Sequence, residues 1–405
     1  MREGDMTFEI KEESIISPAV THIKVIGVGG GGSNAVNGMI QAGLRDVQFI
    51  AVNTDLQDLQ KAEVPDRVQL GARLTGGLGA GGKPEVGEKA ALEDRERIQD
   101  CIRGADMIFI TAGMGGGTGT GAAPIIAQVA REMQILTVGV VTKPFEFERE
   151  KRMRFADEGI MKLREAVDTL IVIPNENIFR VIDRKTPIKT AFKEADRVLR
   201  QAVQGISEMI TREGDINIDF NDVKSIMSGQ GDALMGIGIG QGENRAADAA
   251  KNAIDNKLLE DVSIEGSRGL LINVVGGSDF TLSEFQEINK AITAYADAEA
   301  TVISGYRIDE NLDDEIQVTV VATQRPRQRE PEGEPAAAYK PDYIPYSLWD
   351  KKNNGKHGVK GGDYYAASDL FQTDDLGKPA VLRYVPPEPR ADAKAGRGQW
   401  NVPGI

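Results

Sequence analysis

Residues 113–121 read Gly-Met-Gly-Gly-Gly-Thr-Gly-Thr-Gly, six glycines in nine residues, between the apolar run Met107-Ile108-Phe109-Ile110 and the run Ile125-Ile126-Ala127-Gln128-Val129-Ala130. The order is strand, phosphate loop, helix. In an ordered segment each glycine costs roughly 0.5–1 kcal/mol relative to alanine, so a run this dense needs a reason. Glycines free the backbone to take positive φ and let a ligand approach without meeting a Cβ. Successive N–H groups and the following helix N-terminus present positive partial charge. Thr118 and Thr120 either donate hydroxyls to a ligand or cap the helix.

The stretches around this loop read as an α/β scaffold. His22–Val28 is a buried-strand pattern ending in Gly29-Gly30-Gly31-Gly32-Ser33-Asn34, followed by a helix from Ala35 to about Leu44. Val47–Val52 is the next strand and closes on Asn53-Thr54-Asp55, which makes a β-loop-α-β unit with a right-handed crossover. A helix runs from Pro84 to about Arg103. Further strands fall at Ile135–Val141 and Thr169–Ile173, separated by a charged helix with Arg149, Lys151, Arg152 and Arg154. The alternation predicts a doubly wound parallel sheet whose ligands sit outside the carboxyl ends of the strands.

Two other glycine motifs compete. Gly27-x-Gly29-x-x-Gly32 with Asp55 at the end of the second strand satisfies the dinucleotide fingerprint and supports an NAD-dependent oxidoreductase. Gly77-Leu78-Gly79-Ala80-Gly81-Gly82-Lys83-Pro84 nears the P-loop spacing. Pro84, however, stands where a Ser or Thr must ligate Mg²⁺, and no apolar strand precedes it, so the P-loop reading is rejected.

From Thr186 to about Arg212 one long helical pattern has an apolar face wide enough to contact neighbours on more than one side. Beyond it, strands at Gly231–Gly242, Gly269–Val275, Thr301–Ile308 and Glu315–Ala322 and helices at Asn244–Leu258 and Leu282–Ala296 predict a second, smaller α/β domain with a mixed sheet. Between the two lies Gly214-Asp215-Ile216-Asn217-Ile218-Asp219-Phe220-Asn221-Asp222. Its carboxylates could orient a water or hold a cation, and equally could be the polar turn before a helix. After Gln324, proline enrichment without periodicity predicts a disordered tail, with an apolar patch at Leu376–Tyr384 that could order on a partner.

Composition excludes several classes. The net charge is −14 and the tail is slightly basic, so the acidic body repels polyphosphate backbones and argues against nucleic acid as a partner. One cysteine, Cys101, excludes an intramolecular disulfide, and it reads as a buried structural thiol; His22 and His357 are too few for a histidine metal site. The start of the chain lacks a signal-peptide pattern and no apolar run reaches the roughly 18 residues of a spanning helix, so a cytosolic protein without direct membrane insertion is expected.

Taken together these motifs resemble the tubulin/FtsZ GTPases, and within them the FtsZ branch, the bacterial tubulin-like division proteins. The resemblance covers about residues 20 to 324. It rests on Gly-Gly-Gly-Thr-Gly-Thr-Gly at 115–121, the Gly29–Gly32 loop, Asn53-Thr54-Asp55, the Gly79–Gly82 loop, the central helix and Asn217-x-Asp219-x-x-Asp222. Pro379-Ala380-Val381-Leu382-Arg383 is similar to the family's Pro-Ala-Phe-Leu-Arg peptide, with Val381 in place of the aromatic residue and a longer extension behind it. Lys83 stands where the common family pattern has Asn.

The resemblance implies an arm at 1–20, a GTP-binding domain at 21–185, a central helix at 186–213 and a C-terminal GTPase-activating domain at 214–324. It further implies a disordered linker at 325–374, a partner-binding peptide at 375–385 and a tail at 386–405. It assigns GTP or GDP to Gly29, Gly30, Gly31, Gly32, Asn34, Asn53, Gly81 and Gly82, and to Gly115, Gly116, Gly117, Thr118, Gly119, Thr120 and Gly121. Glu148 and Arg152 would contact ribose and phosphate, Asn175 and Asp196 would read guanine, and Phe192 would wall the base. Asp219 and Asp222, with Asn217 orienting, would act on the GTP of the next subunit in a head-to-tail filament, and Mg²⁺ would be held mainly by the nucleotide. Leu376, Pro379, Ala380, Val381, Leu382 and Arg383 would bind membrane-tethering and regulatory division proteins at a mid-cell ring on the inner face of the membrane.

Overall fold

The computed structural model describes residues 21–180, 186–211, 219–255 and 264–323, with the backbone alone for Phe179, Arg180 and Ile188. The N-terminal arm, Asn217 and the expected linker, peptide and tail lie outside the described residues.

Six parallel strands form the first part of the sheet: β1 (Ile23–Val28), β2 (Gln48–Asn53), β3 (Asp66–Gln69), β4 (Met107–Gly113), β5 (Leu136–Lys143) and β6 (Thr169–Pro174), in the order β3-β2-β1-β4-β5-β6. Apart from the polar edge strand β3, their sequences are largely apolar because helices cover both faces. Lys24 is the exception in β1. It is buried at 9 % exposure, and its ammonium donates to the carbonyls of Cys101 and Arg103, closing the C-terminal end of a helix instead of facing water.

The sheet does not stop at β6. Strand β7 (Gly231–Gln241) pairs with it in parallel through Thr169↔Gly231 to Ile171↔Ala233. Beyond it, β10 (Glu315–Thr323) runs antiparallel between β7 and β8 (Gly269–Gly276), and β9 (Thr301–Ile308) pairs in parallel with β8. The second region is therefore mixed, as expected, and continues the first as one ten-stranded sheet.

Helix α1 (Gly29–Gln41) and helix α8 (Ile188–Thr211) share one face of the sheet. Val198, Leu199, Ala202, Val203 and Ile206 of α8 pack in a single cluster with Phe109 and Val140 of the first region and Met235, Leu271 and Val321 of the second. That double packing is what the wide apolar face predicts. On the other face, α4 (Pro84–Glu93), α5 (Arg95–Ile102), α6 (Thr118–Glu132) and α7 (Glu150–Ala166) cover the first region, and α10 (Arg245–Ile254) and α11 (Leu282–Thr293) cover the second. Helix α10 lies directly on β7. A Cβ at Gly236, Gly238 or Gly240 would meet the carbonyl oxygen of Ala253, Ala249 or Arg245 at 1.9 Å, which accounts for the glycine at every second position.

Some boundaries differ from the sequence expectation. The helix expected over 84–103 breaks at Asp94, whose carboxylate accepts the Gly71 N–H at 2.6 Å and pairs with Arg97 at 3.2 Å. Helices α2 (Leu56–Lys61) and α3 (Ala72–Thr75) are too short to show periodicity. Cys101 is partly buried, donates to the Ile98 carbonyl, and has its thiol pushed up to about 11 by burial, in keeping with a structural role. No described helix is long and apolar enough to cross a membrane.

Candidate nucleotide-binding site

Strand order reverses at β1, with β2 on one side and β4 on the other. A crevice opens outside the carboxyl ends of strands at such a switch point. Here it is an open cleft of about 300 Å³.

Two helix N-termini form its walls. Helix α1 starts at Gly29, directly on β1, and α6 starts at Thr118 behind Gly117; neither N-cap residue makes a side-chain hydrogen bond to its helix. The first N–H groups of each helix lack an intrahelical partner, and both positive dipole ends point to the same space. That is an anion site. Both glycine runs thus become first helical turns, where the sequence read loops ahead of helices at Ala35 and Ile125. Low helix propensity conceals such turns, and packing imposes them: at φ +71°, Gly29 would set a Cβ 2.9 Å from the Gly119 nitrogen.

Of the residues expected to bind the ligand, Gly29, Gly30 and Gly31 line the cleft from α1, Gly116, Gly117, Thr118 and Gly119 from the opposite wall, and Asn53, Gly81 and Arg152 from the rim. Thr118 shares a 2.6 Å hydroxyl contact with Thr54. Gly82 lies beside Gly81 in open space. Asn34 is exposed on α1 and off the cleft wall. The remaining glycines allow close packing. A Cβ at Gly32 would lie 2.4 Å from the Thr111 carbonyl, one at Gly115 2.6 Å from the Arg152 carbonyl, and one at Gly121 2.0 Å from the Pro84 carbonyl. Thr120 is 2 % exposed, and its hydroxyl accepts the Gly115 N–H at 2.8 Å, pinning the loop from beneath.

Asp55, Asp58 and the exposed Leu78 also line the cleft. Of these, Asp58 was not legible in the sequence beyond its place one turn after Asn53-Thr54-Asp55. Asp55 caps α2 by accepting the N–H groups of Gln57 and Asp58 at 2.9 and 3.3 Å. The carboxylate that the dinucleotide fingerprint assigns to a ribose is therefore engaged with the protein's own backbone.

Unpartnered polar groups gather on the α1/α8 side of the sheet. Ser33 Oγ, Thr111 Oγ1 and Asn175 Oδ1 are buried without a hydrogen bond among the described residues, as is Asn53 Nδ2 in the cleft. Leaving such a group unsatisfied costs about 1–3 kcal/mol, which a polar ligand would offset. Asp196 lies one turn after Phe192 on α8, and burial pushes its carboxyl up to about 6. Phe192 is exposed and meets Phe145 and Phe147 edge-on, at centroid distances of 5.2 and 6.5 Å. Glu148 accepts the Phe145 N–H at 3.0 Å and pairs with Arg152 at 2.7 Å. A partly buried carboxylate, a free amide oxygen and an aromatic face suit a base with adjacent N–H donors.

Comparison with known proteins decides between nucleotides. Residues 22–183 match the model of the Tubulin/FtsZ family GTPase domain, and residues 231–325 that of the FtsZ family C-terminal domain. The FtsZ dimer of M. jannaschii is 44 % identical, with 75 % of this chain and 88 % of that chain covered at a TM-score of 0.72. The chain belongs to the FtsZ family. A tryptophan-to-tyrosine mutant of the M. jannaschii FtsZ matches at the same identity and TM-score, over 75 % of this chain and 91 % of that one. CetZ1 from Haloferax volcanii, GDP-bound, is 20 % identical with a TM-score of 0.64 over 75 % of this chain and 94 % of that one, and shares the fold.

FtsZ and tubulin proteins are GTPases, and membership of the family implies GTP and GDP as ligands. The residues present fit them: uncapped helix N-termini for the phosphates, and Asp196 to accept the guanine N1–H and exocyclic amine, which adenine cannot offer. The Asp196 shift carries a pH dependence with two signs. Burial favours the neutral acid, so its contribution to folding is full below the ordinary value of 3.8 and is lost as pH rises through about 6. A guanine read by Asp196 would need the carboxylate. GTP affinity is therefore expected to weaken as pH falls through about 6, and Asp196→Asn should bind more weakly and lose that component of the pH profile. Titrations of both proteins across this range check it.

The carboxylates Asp219 and Asp222 stand elsewhere. Asp219 is the N-cap of α9 (Phe220–Met227), accepting the Asp222 N–H at 2.8 Å, and both residues are exposed. The carbonyl of Met227, at the far end of α9, accepts the hydroxyl of Thr169 at the amino end of β6. The cleft is at the carboxyl ends of the strands, and the 24 residues of α8, about 36 Å at 1.5 Å per residue, run between the two regions.

Proposed function

We propose that this protein is a GTP-hydrolysing, filament-forming protein of cell division whose active site is completed by the neighbouring subunit. The observation that carries the reading is that α9, capped by Asp219, is tied through Met227 to the amino end of β6, whereas the cleft lies at the carboxyl ends of the strands. Carboxylates that cannot reach their own nucleotide can reach that of a second copy stacked head to tail. Such a contact is heterologous and does not close, so it propagates as a filament.

In this account the two helix N-termini hold the polyphosphate, Arg152 adds charge at the rim, and Asn175, Asp196 and Phe192 select and wall guanine. Asp219 and Asp222 of the adjoining subunit position and polarise the attacking water, with Asn217 orienting them. Mg²⁺, held mainly by the nucleotide, neutralises phosphate charge. Hydrolysis removes a group from the subunit contact and promotes disassembly. The filament forms a ring at the future septum, on the cytoplasmic face of the membrane, where residues 375–385 bind tethering and regulatory proteins. The boundaries given above, from the arm at 1–20 to the tail at 386–405, belong to the same reading.

Sedimentation with GTP, GDP or NAD tests it. GTP should produce polymer and release phosphate, and the other two should do neither. Tight NAD binding without GTP binding would overturn the reading, and polymer without phosphate release would leave a non-hydrolysing scaffold. Deleting 375–385 should abolish membrane recruitment and leave GTP turnover near the original; equal loss of both would misplace the peptide.

A further inference from the structure

Lys83 stands where helix capping does not favour a lysine. It is the N-cap of α4, at φ −108° and ψ 111°, and its side chain makes no capping hydrogen bond. Asn, Asp, Ser or Thr at this position would stabilise the helix, and a cation at a helix N-terminus opposes the dipole. The side chain is exposed and has no hydrogen bond or ion pair among the described residues. Glu85, in the first turn of α4, suits the helix dipole, but no described residue explains why a lysine stands at the N-cap.

The cleft does. Lys83 follows Gly79, Gly81 and Gly82, at φ +84°, +58° and +70°, and Gly79 and Gly81 line the cleft. A Cβ on Gly117, in the opposite wall, would lie 3.0 Å from the Lys83 nitrogen, so the base of this residue is packed against the phosphate loop. The walls carry two carboxylates, Asp55 and Asp58, and one cation, Arg152, whose guanidinium is already held by Glu148 at 2.7 Å. Asn53 Nδ2, in the same cleft, is buried without a partner. A polyanion entering here meets less positive charge than it brings negative.

We propose that Lys83 is a ligand-binding residue for the polyphosphate, so that the same side chain weakens α4 and strengthens nucleotide binding. The inference rests on reading the cleft as the phosphate site. It predicts opposite signs for stability and affinity, which a structural role alone does not.

The test uses the full chain with K83N, K83Q and K83R, measuring nucleotide-free melting and the affinities of GTP, GDP and guanosine at two salt concentrations. K83N, which installs a good cap, should raise the nucleotide-free Tm by about 2 °C. It should weaken GTP binding roughly tenfold, as expected for loss of a charge-assisted contact, with a smaller loss for GDP, none for guanosine and a shallower salt dependence. K83Q should weaken GTP binding without the gain in Tm, and K83R should restore affinity. If K83N melts higher yet binds GTP like the original protein, Lys83 has no role in binding. An equal loss for guanosine would make the effect one of site shape and would also overturn the proposal. Absence of GTP binding by the unaltered protein would sink the cleft reading itself, an outcome separate from the failure of Lys83 alone.

Discussion

Asp219→Asn is expected to lower GTP turnover about a hundredfold or more while leaving nucleotide affinity and thermal stability close to those of the unaltered protein. The magnitude is that of a positioned acid–base or water-orienting group. Asn is as good an N-cap as Asp, so the hydrogen bond from the Asp222 N–H to residue 219 survives and the charge is removed. Asp219→Ala would remove both and cost about 1 kcal/mol of local stability besides. Asp222→Ala should match Asp219→Asn in turnover, since Asp222 contributes its backbone and not its carboxylate to the cap. Steady-state phosphate release at saturating GTP, with melting curves beside it, separates the roles. Turnover within threefold of the original for Asp219→Asn would reduce the pair to helix capping.

The second large effect is expected where no ligand contact is lost. In Gly121→Ala the new Cβ would fall 2.0 Å from the Pro84 carbonyl oxygen and 2.5 Å from the Glu88 nitrogen, both backbone atoms that cannot rotate away. Helix α4 would have to shift from α6. The same seam is closed from the other side by Gly87, whose Cβ would lie 2.4 Å from the Gly117 carbonyl. Because α4 follows the Gly79–Gly82 loop and α6 carries Thr118 and Gly119, the shift would part the two walls of the cleft. We expect a loss of about 3 kcal/mol in stability, at the upper end of ordinary overpacking, and nucleotide affinity reduced about a hundredfold. Gly81→Ala has open space around it and should pay mainly the left-handed backbone cost of about 1–2 kcal/mol. Wild-type affinity in Gly121→Ala would show that the two helices tolerate separation.

This contrast marks how far the sequence could be read. The strands were legible because β1, β4 and β5 are buried on both faces and so are continuous apolar runs. The second region was legible as a mixed sheet. Its continuity with the first was not, since it depends on three residue pairs between β6 and β7 that leave no trace in periodicity. The glycine runs announced an anion site. What they did not disclose is which glycines border the cleft and which allow α4, α7 and β4 to approach, because that division depends on partners distant in the chain, such as Pro84 for Gly121 and Arg152 for Gly115. Helix starts at Gly29 and Thr118 were hidden for the related reason that tertiary packing overrode poor propensity. Asp58 entered the site only through the turn of α2 that Asp55 caps.

The central claim is that hydrolysis needs two copies of the chain. It is tested most directly by the GTPase rate per subunit as protein concentration is raised from nanomolar to micromolar at saturating GTP. The account predicts a rate per subunit that is negligible at the dilute end and rises steeply once subunits associate. A rate per subunit that stays constant across the range would contradict it.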